Sequence, residues 1–529
     1  MRLLSLAFAP ERARPFSFGL ICLALAGGYG LENLILGSTV HSRQLGEERT
    51  DLAVALLFVS AGYISAMIGL AWRGIVNLER AALRGRRRLI ATLMDRDLAT
   101  MERVGRDRVL HGLTAAPREM TDNAPILLRV TEATCFVVGM VLVLAVLSWH
   151  LLLIMGSVLV VAGLSLAANH EAVMRAHSAA EAIESRNRAD CVALVDGFKE
   201  LKLHAERRIA FLQALRARMD VARRARARAD QRFVLGFMLQ TAAVIGASAS
   251  CIFLLPSLLH DTSHAMFMAT ALLMANIPLG TVRDIPILAR TDAEVVGMEA
   301  LFEALGEAKQ AEPPPPEEPF RSIGLTEASY RYIGEGGEAG FTLRPATLEF
   351  AAGSITFIVG GNGSGKSTVM KLLAGLYRPT GGQVVVNGRP IGLSALRELS
   401  TAIFADHHVF DRLYGVPDPD PAAIQSALED MGIAGQTRFE DGRFTRRDLS
   451  SGQRKRLAWV AGMVENRPLV LLDEWAADQD PEFRDRFYRV LLPALRASGK
   501  AVVAVSHDDR YFDLADKIVR MDYGRVVSS

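Results

Sequence analysis

Long apolar runs occupy the first 290 positions, and short β-branched runs alternating with helical patterns occupy the rest. A helix that crosses a bilayer needs about 20 mostly apolar residues. Six stretches qualify: Phe16–Leu36, Leu52–Trp72, Ala133–Trp149, Leu151–Ala168, Phe233–Leu259 and Ala265–Leu288. The third and fourth are one run broken only at Ser148-Trp149-His150, which predicts a tight hairpin between two spans. The first run is long and has no small-residue cleavage site, so it reads as a retained span and not as a cleaved signal. Between spans two and three, Ile75–Leu128 holds ten Arg; between spans four and five, His170–Arg232 holds fourteen Lys or Arg. The opposite loops hold only Arg43 and Arg49. The excess of basic residues predicts that both long loops, both termini and the C-terminal half face the cytoplasm. Leu194, Phe198, Leu201, Leu212 and Leu215 keep a helical period, so the spans are expected to continue as cytoplasmic helices with a reversal midway.

A stiff polar spacer, Glu307 to Glu318 with Pro313–Pro316 inside it, separates this half from the next. Beyond it, Ser354–Val359, Gln383–Asn387, Leu469–Leu472 and Ala501–Val505 read as buried strands of an α/β domain. The expected boundaries are 1–306 for the membrane domain, 307–321 for the linker and 322–529 for the α/β domain. Composition agrees with this division: 50% hydrophobic and 22% charged residues exclude a disordered or disulfide-stapled chain. A net charge of +2 gives no bulk attraction for nucleic acid. Cys22, Cys135, Cys191 and Cys251 show no metal or redox spacing and read as packing residues.

The chemistry concentrates in the second half. Gly360-Gly361-Asn362-Gly363-Ser364-Gly365-Lys366-Ser367-Thr368 follows a strand and precedes a helical pattern, the context a P-loop requires. Glycines there let backbone N–H groups surround phosphate oxygens, and the helix N-terminus adds its dipole. Lys366 supplies charge for the β- and γ-phosphates of ATP, and Ser367 offers a hydroxyl to Mg²⁺. Leu469–Leu472 then runs into Asp473 and Glu474: Asp473 is the expected Mg²⁺ partner, and Glu474 the expected general base that orients the attacking water.

Leu449-Ser450-Ser451-Gly452-Gln453, followed by Arg454-Lys455-Arg456, resembles the signature sequence of ATP-binding-cassette (ABC) proteins, with serine at 451 where glycine is commoner. The resemblance extends in order to Asp480 after Glu474, His507 after the strand Ala501–Val505, and Tyr332 upstream of the P-loop. It implies that Tyr332 stacks the adenine, that His507 senses the γ-phosphate, and that Ser451, Gly452 and Gln453 clamp the ATP of a partner subunit. One loop departs from the family: Ile403-Phe404-Ala405-Asp406-His407-His408 puts Ala405 where a glutamine Mg²⁺ ligand usually stands, with Asp406 beside it. His407 and His408 read as loop residues at the coupling interface. This loop, the segment Asp473-Glu-Trp475-Ala-Ala-Asp-Gln-Asp-Pro481 and Gly197-Phe-Lys-Glu-Leu-Lys-Leu203 look like the bacterial cyclic-peptide and siderophore ABC exporters. That group includes exporters of pyoverdine precursors, lipopeptides and lasso-peptide microcins.

The resemblance implies a six-helix membrane domain with cytoplasmic extensions fused to one α/β cassette, a half-transporter of the bacterial inner membrane. One P-loop and one signature per chain imply a homodimer, with ATP and Mg²⁺ held between cassettes. Ala99–Gly105 and Asp196–Lys202 are the expected points of approach to the cassettes. Glu32-Asn33, Asn276, Pro278 and Arg283-Asp284 are polar groups at or near membrane depth and are candidates for cargo contact or helix–helix bonding. Export of a peptide-like metabolite leads. A lipid or multidrug exporter, an exporter-fold importer and a non-transporting ATP sensor share the same motifs.

Overall fold

The computed structural model describes residues 50–147, 190–253, 284–306, 318–333 and 339–528, most of 21–32, and scattered positions between 35 and 187. The hairpin at Ser148–His150, Asn33, Asn276, Pro278, Arg283 and most of the linker lie outside the described residues. Contacts divide the chain into two units: residues 1–90 with 110–301, and residues 91–109 with 302–529.

The first unit is helical. Thr50–Met94 is one helix of 45 residues, about 68 Å long at 1.5 Å per residue. Its N-terminal half shows Leu57, Phe58, Ile64, Ile68 and Trp72 on the surface, an exposed apolar face of the kind lipid covers. Its C-terminal part carries Arg80, Arg84 and Arg86–Arg88, so one helix passes from apolar to basic texture as the loop pattern predicts. Two helices among the described residues are long and apolar enough to cross a membrane, Thr50–Met94 and the stretch Arg106–Leu142. Ala205–Phe253 repeats the change of texture in reverse, arginine-rich first and apolar after Phe233.

Among the described residues, several polar groups in or near the expected spans are paired. Ser60 Oγ donates to Glu32 Oε1 at 2.7 Å, Tyr63 Oη to Glu132 Oε1 at 3.2 Å, and Arg129 donates twice to Asp284 Oδ2, at 2.8 and 3.1 Å. Cys135 is buried, in keeping with a packing role. Cys191 is exposed, contrary to the packing role expected of it, on a helix surface where Val192 and Val195 are exposed as well.

Reversals occur where the sequence places them. The first helix ends at Met94, Asp97 caps the short helix Leu98–Val104 by accepting from Thr100 N–H at 3.0 Å, and Gly105, at φ +89°, stops it. The other long loop reverses through the short helix Phe198–Leu203, which belongs to the helical unit. Residues 91–109, in contrast, belong with the second unit.

That unit is an α/β domain. In chain order its strands are β1 (Ser322–Ile333), β2 (Ala339–Ala351), β3 (Ile355–Gly360), β4 (Gly381–Val386), β5 (Arg389–Pro390), β6 (Ser400–Ile403), β7 (Phe439–Glu440), β8 (Arg443–Phe444), β9 (Leu469–Asp473), β10 (Ala501–Val505), β11 (Lys517–Asp522) and β12 (Arg525–Ser528). The main sheet has the order β12-β11-β3-β10-β9-β6, parallel except at β12; β2-β1-β4-β5 is a separate antiparallel sheet. β9 and β10 are buried throughout, which explains their unbroken apolar runs. The register aligns Ile358, Val505 and Asp473 across β3, β10 and β9, so β9 and β10 finish level and β3 runs two residues further, to Gly360, at the same edge. Ligands of parallel α/β sheets bind at that carboxyl edge.

Candidate nucleotide site

Each strand delivers a different group to this edge. β3 ends in Gly360, with φ at +153°, where a Cβ would come within 2.2 Å of Met521 O, so the position has no room for a side chain. The loop then enters the helix Lys366–Leu373, with Gly365 at its N-cap in a left-handed conformation (φ +102°). Lys366 is buried and its Nζ donates to the carbonyls of Gly360 and Gly361, both at 2.9 Å, so the ammonium lies folded into the loop. Burial pulls its pKa below the usual lysine value, partly offset by Glu474 and Asp473.

β9 ends in Asp473, and Glu474 follows in a left-handed turn (φ +49°) that points the chain into a 3₁₀ turn, Trp475–Asp478. Asp473 is 5% exposed; burial raises its pKa above the ordinary value, and a hydrogen bond from Ser367 opposes that rise. β10 ends in Val505, and two residues on His507 Nε2 lies 3.2 Å from Glu474 Oε1. A cavity of about 490 Å³ is lined by Tyr332, Phe341, Asn362, Gly363, Ser364, Gly365, Lys366, Ser367, Thr368 and Glu474. Tyr332 Oη is 3.3 Å from Thr368 Oγ1, so the expected adenine-stacking ring sits beside the P-loop helix. Sites of this size hold drug-sized ligands.

The donors fit ATP and Mg²⁺. Ser364 Oγ is buried on this cavity and has no partner, an orphan that a phosphate oxygen satisfies. Ser367 and Asp473 are neighbouring hard oxygen donors, the kind Mg²⁺ takes.

Signature residues stand elsewhere. The helix Ser451–Val464 begins with a reciprocal capping box: Ser450 Oγ accepts from Gln453 N–H and Gln453 Oε1 accepts from Ser450 N–H. Gln453 thus shapes the helix start, a role that the sequence motif does not announce. Ser451 lines a second cavity of about 380 Å³ with Ala405, Asp406, His407, Arg447, Arg454, Lys455 and Asp478. No signature residue lines the P-loop cavity. Asp480 is also on the signature side, capping the helix Pro481–Arg486 through Phe483 N–H (2.9 Å) and pairing with Arg456 (2.6 Å). Asp406 is exposed at the end of β6 and close enough to raise the pKa of Asp473.

A contact with the short helix Leu98–Val104 completes the domain. Leu98 and Ala99 pack on the cassette core, Tyr377 Oη donates to Glu102 Oε2 at 2.6 Å, and Lys371 Nζ donates to Glu102 Oε1 at 3.2 Å. Tyr377 stacks on Tyr330 at 4.5 Å and meets Tyr332 edge-on at 5.7 Å. Burial and the Glu102 bond push the Tyr377 phenol well above its usual pKa, so it stays a donor. The bonds that Glu102, Tyr377 and Lys455 make escaped the sequence reading, because their partners are distant in the chain and no spacing marks them.

Known proteins resemble this chain in sequence and in fold. Residues 343–477 match the ABC transporter family. The chain is 42% identical over 215 residues to the ATP-binding protein SyrD of Pseudomonas syringae pv. syringae; the match covers 39% of this chain and 38% of that protein, so it spans well under half of SyrD. It is 30% identical over 223 residues to the thiamine import ATP-binding protein ThiQ of Mesorhizobium japonicum, covering 39% of this chain and 83% of the relative. In three dimensions it resembles a bacterial Atm1-family ABC exporter solved with ATP bound: TM-score 0.73, 18% identity, 97% of this chain and 94% of the other. The helical N-terminal region and C-terminal cassette therefore have the Atm1-type exporter fold, and the chain belongs to the ABC transporter family.

Proposed function

We propose that this chain is half of a homodimeric, ATP-driven exporter of a peptide-like metabolite in the bacterial inner membrane. Six spans within residues 1–306, a linker over 307–321 and a cassette over 322–529 form each half, with both termini cytoplasmic. The observation that carries the dimer is the separation of motifs. The P-loop cavity holds Lys366, Ser367 and Glu474 but no signature residue, while Ser451 and Gly452 open a helix on a different cavity. A second copy supplies the missing wall of each site.

The P-loop amides and Lys366 bind the β- and γ-phosphates, and Tyr332 supports the base. Ser367 and Asp473 hold Mg²⁺, which neutralises charge developing on the transferred phosphoryl group. Glu474 orients and polarises the attacking water, and His507, 3.2 Å from it, bonds the γ-phosphate and steadies the carboxylate. Ser451, Gly452 and Gln453 close the site from the other subunit. Cassette closure then biases the membrane domain between inward- and outward-facing states, passed on by the short helices Leu98–Val104 and Phe198–Leu203. The peptide-like cargo rests on the resemblance of the Ala405-Asp406 loop and the Trp475 segment to peptide and siderophore exporters.

The test compares wild type with Glu474→Gln in inside-out vesicles offered peptide metabolites of the producing cell, read by mass spectrometry. Glu474→Gln should bind ATP yet hydrolyse it about 100-fold or more slowly, as loss of a general base predicts, and should accumulate nothing. Selective uptake of one peptide by wild type alone supports the reading. Uptake of unrelated amphiphiles favours a lipid or multidrug exporter, and near-normal hydrolysis by Glu474→Gln removes it as the base.

A further inference from the structure

The signature helix and the turn after Glu474 are joined by an unusual density of bonds. Trp475 Nε1 donates to Lys455 O at 3.0 Å, Gln479 Nε2 donates to Gly452 O at 3.2 Å, and Arg456 donates to Gln479 Oε1 at 2.8 Å. At the centre is Lys455, with a side chain 4% exposed. Its Nζ donates to the carbonyl of Glu474 at 2.7 Å and pairs with Asp478 Oδ2 at 2.8 Å. The Glu474 carbonyl also accepts from Ala477 N–H at 3.2 Å. Lys455 thus grips both ends of the turn, at the residue whose backbone is held left-handed (φ +49°). A non-glycine residue keeps that conformation only when its surroundings over-determine it. A buried ammonium with two good acceptors is such a constraint, and removing it frees the peptide that aims the carboxylate.

We propose that Lys455 is a positioning residue for Glu474: it fixes the carboxylate against the P-loop cavity and makes that position depend on the signature helix. This rests on the reading of the cassette as an ATPase, and deepens it. The helix offers its first turn, Ser451 and Gly452, to one nucleotide and its second turn, Lys455, to the glutamate that serves the other. Seating ATP on the signature of one site therefore sets the catalytic carboxylate of the second. Gly452 is part of the same device, since a Cβ there would come within 2.6 Å of Asp478 O, on the turn that Lys455 holds.

The test is ATP turnover by the full-length dimer in proteoliposomes, for wild type, Lys455→Met, Asp478→Asn and Lys455→Met combined with Glu474→Gln. Misplacing a catalytic group by about 1 Å can cost 100-fold, so Lys455→Met should lower kcat about 10-fold or more with KM for ATP changed less than about twofold. Asp478→Asn, at a position 43% exposed and tolerant of change, should show the same split at smaller size and carries the test if Lys455→Met does not fold. In single turnovers, Lys455→Met should add no further loss to Glu474→Gln. Unchanged kcat overturns the proposal, as does a loss that appears in KM or that multiplies the Glu474→Gln defect in full. Wild type that hydrolyses no ATP overturns the ATPase reading itself, whereas active wild type with unaffected variants overturns only the role of Lys455.

Discussion

Asp480 illustrates how one side chain serves two neighbours in this cassette. Its Oδ1 caps the helix Pro481–Arg486 through Phe483 N–H, and its Oδ2 takes Arg456, whose guanidinium also lies 3.7 Å over the Phe483 ring. The Phe483 N–H, followed by Arg456, holds the Asp480 carboxyl below its ordinary pKa of 3.8. A carboxylate with a lowered folded pKa stabilises the fold above its unfolded pKa and loses that contribution as pH falls through the folded value. Asp480→Ala should therefore lower stability at pH 7, by about 1 kcal/mol for the lost cap, and the Tm difference from wild type should shrink below pH ~4. A difference that stays constant down to acid would show that the charge contributes nothing. Residue identity at 480 was readable from its place in the motif, but its partner Arg456 was not, since only the fold brings the two together. Trp475 shows the same limit. It stands out in the sequence as a family marker, while the structure makes it a 1% exposed packing pillar stacked on Phe487 and tilted against Trp459.

Among the elements, the short helix Leu98–Val104 has the clearest consequence. Asp97 caps it and Gly105 stops it. Its docking is not legible: Glu102 meets Tyr377 across 275 residues of sequence. The chain of contacts from Tyr332 through Tyr377 to Glu102 links the nucleotide cavity to this helix. A half-exposed charged hydrogen bond contributes about 1 kcal/mol, so Glu102→Gln should lower transport per ATP hydrolysed several-fold while basal hydrolysis stays near wild type. Both rates are measurable in the same vesicles, and an unchanged ratio would deny this helix a part in coupling. The long helices behave as their composition demands, with Thr50–Met94 passing without a break from an apolar surface to an arginine-rich one.

For the whole molecule, the proposed function makes assembly part of the active site, because P-loop and signature residues line different cavities. Asn362 and Ser451 are both exposed and line different cavities. In a cysteine-free Glu474→Gln background, Asn362→Cys with Ser451→Cys should form an ATP-dependent disulfide between two chains, seen as a species of twice the 57.5 kDa chain mass. A bond formed only within one chain, or an inter-chain bond indifferent to ATP, would remove the sandwich arrangement.

Contiguous motifs were legible in the sequence alone. The P-loop, Asp473-Glu474, the signature motif Leu449–Gln453 and the apolar strands β9 and β10 are each written within a dozen residues, where local sterics and hydrogen bonding dictate conformation. The alternation of long apolar runs with arginine-rich loops likewise carries its own physical meaning, because solvent preference is a property of each residue. Tertiary structure decided which groups meet. Parallel pairing of β3, β10 and β9 brought His507 to Glu474, burial placed Lys455 between Glu474 and Asp478, and the 91–109 segment brought Glu102 to Tyr377. Those contacts depend on register and packing between distant segments, and such a pairing leaves no periodic trace in the order of residues.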